Sequence, residues 1–595
     1  MAQTTVRPPV QPGGSFMISA TEPAEVYTPE DLSGEHRAVL AAVREFVARE
    51  VAPRRQAIES QEFGVHRELL AKLGADGYLG VDVPEAYGGS GLDKVTSLLI
   101  SEGLADAGSF AVTYGAHAVI GTLGLVFFGT AEQKQRYLPG LASGELVGAY
   151  ALTEPGAGSD AMGIRTRAER GSDGAWTITG SKQFITNAGF ADLFTLYAKV
   201  DGDKFTAFLA ESNAKGLTLG EEEKKMGTYG ASCRAVNFDG VRVPGENLLH
   251  EVGKGHHVAF NALNMGRFKL AAGCLGGMKS ALGAAVKYAR ERNAFGRPLT
   301  EFGAIRHKLA EMAVRTFAVE SMVYRSGGLI DARLAGLGEG PGAGAAEVTR
   351  ALEEYAIECS IAKVYASEQL GYVVDELVQI LGGYGYIEEY PAAAAYRDAR
   401  IHRIWEGTNE INKLLVPGTL LKRALQGRLD LLGAARKAAD AITSAGLGTS
   451  PPSGHLAEEQ ALVDAARQAT LFVAGAAVQK FADRIEHEQE VLLGLADLAI
   501  EVLAMDSACL RARKTQAAGG PRAAHHADLA RVIVSDGLAR IETAARPVLA
   551  ALDQGDTLRT MVAGVRRVLR ANPADTIGLR RRIAETVIAA GGYES

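Results

Sequence analysis

Between residues 149 and 252 this chain changes its hydrophobic period, and the sequence on either side reads as helix. Trp176–Gly180, Leu193–Val200, Phe205–Ala210 and Ala235–Val241 are short runs rich in β-branched and aromatic residues, bounded by Gly or Asp turns, and they predict strands. Upstream, Glu35–Val51 and Phe63–Leu73 carry apolar residues at spacings of three and four, with further helix-like runs at Val95–Ala107 and Ala131–Leu141. Downstream, Gly266–Glu291, Ile305–Leu329 and Leu352–Leu381 are each long enough to span a bundle. The chain is therefore expected to be mainly α with a central β domain, a small barrel or sandwich.

A length of 595 residues exceeds one hydrophobic core. The expected divisions are a disordered or extended N-terminal arm (1–30), an N-terminal helical domain (31–148), a middle β domain (149–255) and a helical bundle (256–428). A Gly- and Pro-rich linker (442–455) then leads to an additional C-terminal helical domain (456–595), with the helix-like runs Leu462–Ile485, Val491–Lys514 and Asp528–Asp553. The Gly-rich stretch Gly336–Ala345 is expected to connect two helices. The net charge of −7 is spread along the chain and leaves no nucleic-acid footprint. Cys233, Cys274, Cys359 and Cys509 are far apart, with no CxxC or Cys/His spacing, so neither a disulfide framework nor a metal site is expected. No apolar run is read as reaching transmembrane length, and Met1–Gly14 lacks the apolar segment of a secretory signal. Reduced thiols and no leader predict a cytoplasmic protein.

Three segments carry chemistry. In Arg403-Ile404-Trp405-Glu406-Gly407-Thr408-Asn409-Glu410, a lone carboxylate stands between a large aromatic residue and a glycine. That suits a base facing a flat apolar pocket, and taken alone it suits a surface Glu at a helix start equally well. In Tyr150-Ala151-Leu152-Thr153-Glu154-Pro155-Gly156-Ala157-Gly158-Ser159-Asp160, two glycines open the backbone and Thr153 and Ser159 offer hydroxyls; taken alone, this is a Pro-Gly turn. In Lys182-Gln183-Phe184-Ile185-Thr186-Asn187, an aromatic residue precedes a hydroxyl by two positions, although Phe184 and Ile185 read equally as strand core. No GxGxxG follows a strand, which argues against a Rossmann dinucleotide site.

Taken together and in this order, the three segments resemble the acyl-CoA dehydrogenase family, over nearly the whole chain from about residue 30. The resemblance implies an N-terminal helical domain, a middle β-barrel and a C-terminal four-helix bundle, with an extra helical domain beyond. It implies FAD as cofactor, with Tyr150, Leu152, Thr153 and Ser159 against the flavin, Phe184 (where the family usually has Trp) and Ile185 beside it, and Thr186 as partner of flavin N5. It assigns Arg292 and Phe295, from Arg290-Glu291-Arg292-Asn293-Ala294-Phe295-Gly296, to the FAD pyrophosphate. Gln379, Gly382 and Gly383 would hold FAD across a subunit boundary, and Thr408 and Glu410 are further cofactor contacts. Glu406 is implied as the catalytic base. Some relatives carry the base elsewhere, at the position of Gly266, which offers no carboxylate here. Ser159, Asn264, Arg267, Trp405 and Gly407 are implied substrate contacts.

Chain length and the C-terminal extension resemble the very-long-chain acyl-CoA dehydrogenases. The resemblance implies a homodimer, a long-chain acyl-CoA substrate and electron-transfer flavoprotein as acceptor. The small residues of Tyr114-Gly115-Ala116-His117 suit a deep acyl tunnel, and equally suit tight helix packing. Weak membrane-surface association belongs to the same resemblance, but Leu429–Gly446, Ala-rich with Arg436 and Lys437, reads as only weakly amphipathic. Two alternatives remain at this stage: an acyl-CoA oxidase-like flavoenzyme that uses oxygen, and a non-enzymatic assembly factor that keeps the fold.

Overall fold

The computed structural model describes residues 10–336, 345–443 and 454–594. Most of the Gly336–Ala345 connection and of the expected linker (337–344 and 444–453) lies outside these residues. The molecule is built around the Gly255–Glu291 helix, 37 residues long. It packs against Gly303–Ala335, Ala356–Leu381 and Lys94–Gly103, which places it between the N-terminal domain and the bundle. Its sequence allows such close packing because Gly and Ala recur along it; a Cβ at Gly276 would meet the Glu102 carbonyl oxygen at 2.3 Å. The run expected as one helix over Leu352–Leu381 breaks at Tyr355, giving Ala345–Glu354 and Ala356–Leu381.

The middle domain comprises β1 (Gly148–Ala151), β2 (Arg167–Arg170), β3 (Trp176–Thr186), β4 (Leu193–Val200), β5 (Lys204–Glu211), β6 (Leu217–Glu222), β7 (Cys233–Val243) and β8 (Leu248–Leu249). They form one hydrogen-bonded path, β6-β7-β3-β2-β4-β5-β8, with β1 parallel to β4. The path does not return on itself, so the expected barrel is not closed by hydrogen bonds among the described residues. Trp176, Ile178, Ile185, Phe194, Phe208 and Phe238 fill its core. The β3–β7 register shifts between Lys182 and Ile185, and this irregularity carries Phe184 at φ +58°.

The N-terminal arm differs from expectation. Residues 15–31 form three short 3-10 turns, and Phe16, Met17 and Tyr27 join the main core. Arg423 donates to the Gly13 carbonyl at 2.5 Å, Arg467 to the Phe16 carbonyl at 2.7 Å, and Arg511 to Glu30 at 2.7 Å. The arm thus bridges the bundle and the C-terminal helices. Composition hid this because the partners lie more than 300 residues away, as with Gly14 N–H and Glu358 at 2.6 Å.

Among the described residues, two helical stretches are long and apolar enough to cross a membrane, contrary to the sequence reading. They are Ser109–Phe128 (mean hydropathy 1.6) and Ala457–His487 (1.3), with 78% and 50% of their most apolar windows buried. The first is interrupted by a π-helical turn at Gly115–Gly121 and packs on β1 and the Gly255–Glu291 helix. The second packs against Gln489–Ala517 and Ala523–Leu552. Leu431–Thr443, within the segment read as weakly amphipathic, has a definite apolar face: Ala435, Ala438 and Ile442 are buried where the helix packs on Ala457–Phe481. That face is occupied by the protein itself.

Candidate active site

A cavity of about 640 Å³ runs along the Gly255–Glu291 helix. One wall carries Thr186, His402, Trp405 and Glu406; the floor carries Gly266, Leu270, Gly273, Gly277 and Ala281 from the long helix. These floor positions recur every three or four residues, hence on one face. At ~1.5 Å rise per residue they extend over roughly 20 Å. The π-helical turn also lines the cavity, through Gly115, Ala116, Val119 and Ile120. A Cβ at Gly115 would meet nothing within 4 Å, and one at Gly273 only the Ser101 carbonyl oxygen at 3.9 Å. Both glycines open space in the cavity. His117 points the other way: it is fully buried, its Nδ1 accepts from Gly148 N–H at 2.9 Å, and its Nε2–H donates to the Leu141 carbonyl at 3.0 Å.

Glu406 sits in a left-handed turn with φ +56°, followed by Gly407 at φ +80°. For a residue with a side chain this conformation costs energy, so the surroundings must hold it. Arg267 Nε donates to the Glu406 carbonyl at 3.0 Å, and Asn412 Nδ2 reaches the Gly407 carbonyl at 2.8 Å. Lys363, fully buried, donates to the same Gly407 carbonyl and to Asn409 Oδ1, both at 2.8 Å. Thr408 caps the Asn409–Leu425 helix by accepting from Ile411 N–H at 3.3 Å.

The Glu406 carboxylate faces Gly266: a Cβ there would lie 2.6 Å from Oε2 and 3.1 Å from Oε1. A larger residue at 266 would displace the carboxylate. Oε2 is closed off from solvent and has no hydrogen-bond partner among the described residues. Burial raises the Glu406 pKa to about 7, against the pull of Arg267 and Lys363, which lowers it. The same burial brings Lys363 down to about 8 and lowers Arg267. A carboxylate with a pKa near neutrality, in a largely apolar cavity, is suited to remove a weakly acidic proton. The backbone N–H of Glu406 has no partner among the described residues and remains a free donor.

The other expected residues fall into three groups. Trp405, Gly407, Thr408, Arg267 and Thr186 lie in the cavity wall or directly behind Glu406. Asn264, expected at the substrate, is buried, and its amide oxygen accepts from Arg267 Nη1 at 3.0 Å; it supports the arginine instead. Tyr150 is buried, donates to the Ala259 carbonyl at 3.3 Å and feels the charges of Glu406 and Arg267, while Leu152 packs in the main core. Ile185 turns its side chain into the β-domain core, so it offers no side chain to a ligand. Phe184 does the opposite and is 57% exposed.

Arg292, Phe295, Gln379, Gly382 and Gly383 are exposed and lie outside this cavity, with Phe295 95% exposed. They cluster at helix ends: Arg292 follows Gly255–Glu291, and Gly382 follows Ala356–Leu381. Tyr288 and Tyr384 link the two ends, with ring centroids 6.4 Å apart. Glu410 is exposed in the first turn of its helix.

These positions fit a flavin dinucleotide by their donor types. The side chains of Thr153, Ser159, Thr186 and Arg292 make no hydrogen bond or ion pair among the described residues. Cβ atoms at Gly156 and Gly158 would meet nothing within 4 Å. The loop is anchored from behind: Lys182 Nζ donates to Glu154 at 2.7 Å and to the Leu152 carbonyl at 3.1 Å. Open backbone, free hydroxyls, an exposed ring and an unpaired guanidinium are what a flat ring with a pyrophosphate requires.

Residues 33–145 match the acyl-CoA dehydrogenase N-terminal domain, 149–241 its middle domain and 253–421 its C-terminal domain. The chain belongs to the acyl-CoA dehydrogenase family. Residues 465–567 match a further acyl-CoA dehydrogenase C-terminal domain. A probable acyl-CoA dehydrogenase of Bacillus subtilis is 45% identical over 98% of both chains. The human mitochondrial very long-chain specific acyl-CoA dehydrogenase is 38% identical over 79% of this chain and 73% of its own. The crystal structure of an acyl-CoA dehydrogenase from Bacillus anthracis, complexed with FAD, is 43% identical with a TM-score of 0.97, covering 98% of this chain and all (100%) of that one. Acyl-CoA dehydrogenases are FAD-dependent oxidoreductases, so the protein is an enzyme and the assembly-factor reading falls away.

The motifs left three residues of this acyl-CoA dehydrogenase unmarked: Lys363, Asn412 and His402. A lone lysine among Ile361, Ala362, Val364 and Tyr365 was the available signal for Lys363, since a charge on an apolar helix face requires a partner.

Proposed function

We propose that this enzyme oxidises long-chain fatty acyl-CoA to the trans-2-enoyl-CoA, with FAD as cofactor and Glu406 as base. The observation that carries the reading is the Glu406 carboxylate, raised to about 7 and set at one end of a cavity floored by Gly266, Gly273 and Gly277. Glu406 takes the proton from the carbon next to the thioester carbonyl. The free N–H of Glu406 would hold the thioester oxygen in this reading, where negative charge develops. Arg267, Asn412 and Lys363 keep the turn fixed, so that the base need not reorganise as the proton moves. Bound FAD would supply the acceptor for the hydride that leaves the β-carbon.

Thr153, Ser159, Phe184, Thr186, Arg292 and Phe295 are proposed to hold the cofactor. A homodimer completes the reading: Phe295 and Tyr386, 95% and 85% exposed, lie near Gln379, Gly382 and Gly383 and would be covered by a second copy. Electron-transfer flavoprotein is the proposed acceptor, and the cytoplasm, a reducing compartment, suits four unpaired thiols.

The test is an anaerobic titration of the purified yellow protein with palmitoyl-CoA and, separately, octanoyl-CoA, following loss of the oxidised-flavin absorbance. Bleaching by palmitoyl-CoA supports the reading. Bleaching by octanoyl-CoA alone overturns the chain length but keeps the chemistry. Rapid oxygen consumption during aerobic turnover would replace the acceptor with oxygen.

A further inference from the structure

His402 shares the cavity wall with Trp405 and Glu406. The Trp405 indole Nε1–H donates to His402 Nδ1 at 3.2 Å, and the two rings meet edge-on with centroids 5.1 Å apart. An indole nitrogen only donates, so His402 Nδ1 carries no proton and the ring proton sits on Nε2. Burial, with the charge of Lys363, brings the His402 pKa down to about 4, so the ring is neutral under working conditions. Nε2 makes no hydrogen bond among the described residues, and it is not among the buried atoms sealed from solvent. The wall beside the base therefore presents an N–H donor of fixed tautomer with no acceptor in the protein.

We propose that His402 is a hydrogen-bond donor to the molecule bound beside Glu406, taking a carbonyl oxygen or an aromatic ring nitrogen as its acceptor. The assignment rests on reading the site as one for flavin and acyl thioester, because both offer such atoms. The flavin pyrimidine ring gains negative charge on reduction, and the thioester oxygen gains it on deprotonation. In either case the donor binds more strongly as the charge develops. The indole makes the tautomer stable: with Nδ1 engaged, the proton cannot move to it without breaking the Trp405 bond. Trp405 is thus a positioning residue for His402, besides lining the cavity.

The experiment compares holoenzyme with His402→Phe, His402→Gln and Trp405→Phe. Gln keeps an N–H donor; Phe keeps the ring without one. Two readouts are taken: the visible spectrum and midpoint potential of the flavin without substrate, and the dissociation constant of the non-oxidisable analogue 3-thiahexadecanoyl-CoA. If the acceptor is on the flavin, His402→Phe shifts the spectrum and lowers the potential, while analogue binding is unchanged. If the acceptor is the thioester, the free flavin is unchanged and the analogue binds about tenfold more weakly, the loss of one hydrogen bond. In either case His402→Gln recovers toward wild type, and Trp405→Phe moves in the direction of His402→Phe by a smaller amount. His402→Phe matching wild type in both readouts would overturn the proposal, as would Gln and Phe being equally perturbed, which indicates ring packing alone. Wild-type protein that takes up neither flavin nor analogue would overturn the parent reading and this one together, so the two failures are distinguishable.

Discussion

The ammonium of Lys363 donates to the carbonyl oxygen of Gly407 at 2.8 Å, directly behind the Glu406 carboxylate. A buried cation from one helix thus holds the left-handed turn that precedes another, and its charge opposes the rise in pKa that burial imposes on Glu406.

Lys363→Met removes both effects. Leaving the Gly407 carbonyl and Asn409 Oδ1 without this donor costs about 2–4 kcal/mol of stability. Loss of the positive charge raises the Glu406 pKa further, so the rising limb of the pH–rate profile moves to higher pH. Lys363→Arg keeps the charge and recovers part of that displacement. A pH profile that does not move would remove Lys363 from the control of the base.

Glu406→Gln removes the base while keeping the shape of the turn. Palmitoyl-CoA oxidation falls by at least about 10²–10⁴-fold, the usual contribution of general base catalysis. Stability responds in the opposite sense. The folded-state pKa of about 7 lies above the unfolded value of 4.5, so the folded state binds more protons between these pH values and stability falls as pH rises through the window. Above pH 7 the Gln variant is therefore more stable than wild type, by up to about 3 kcal/mol. Thermal melts at pH 4.5 and pH 8 check the sign: the difference is present at pH 8 and small at pH 4.5.

Gly273→Leu fills open space in the cavity floor, two helical turns beyond Gly266. Its kcat/KM for palmitoyl-CoA falls by about 100-fold or more, while that for octanoyl-CoA changes by less than about threefold, since only a long chain reaches that point. Equal losses on both substrates would show that the acyl chain follows another route.

Arg511→Met tests the N-terminal arm. Arg511 is fully buried and bonds Glu30 at 2.7 Å and Glu320 at 2.6 Å. Removing one member of a buried charge network costs about 3–5 kcal/mol. Thermal unfolding of the holoenzyme should fall by several degrees while the visible flavin spectrum at 25 °C stays as in wild type. An unchanged melting temperature would mean that the arm adds nothing to stability.

Much of this enzyme was legible in its residues. Local pattern separated β3, β4, β5 and β7 from the helices around them, because strand and helix periods are local properties of a chain; β1, β2, β6 and β8 went unread. Each of the three motifs was ambiguous alone; it was their joint resemblance to one family, in the right order, that pointed to Glu406, the Thr153–Ser159 loop and Phe184. The absence of a carboxylate at Gly266 could be read directly from the sequence; that Gly266 faces the Glu406 carboxylate could not. Ile185 and Phe184 are neighbours in one strand and so face opposite ways, and the register shift between β3 and β7 decides that Ile185 is the one in the core. Asn264, Lys363 and Asn412 acquire their roles from helices brought together around one turn, and the N-terminal arm is ordered by arginines hundreds of residues away. Local order is determined by neighbours along the chain. The raised pKa of Glu406 and the length of the cavity come from desolvation and packing between distant segments, and only the tertiary structure decides those.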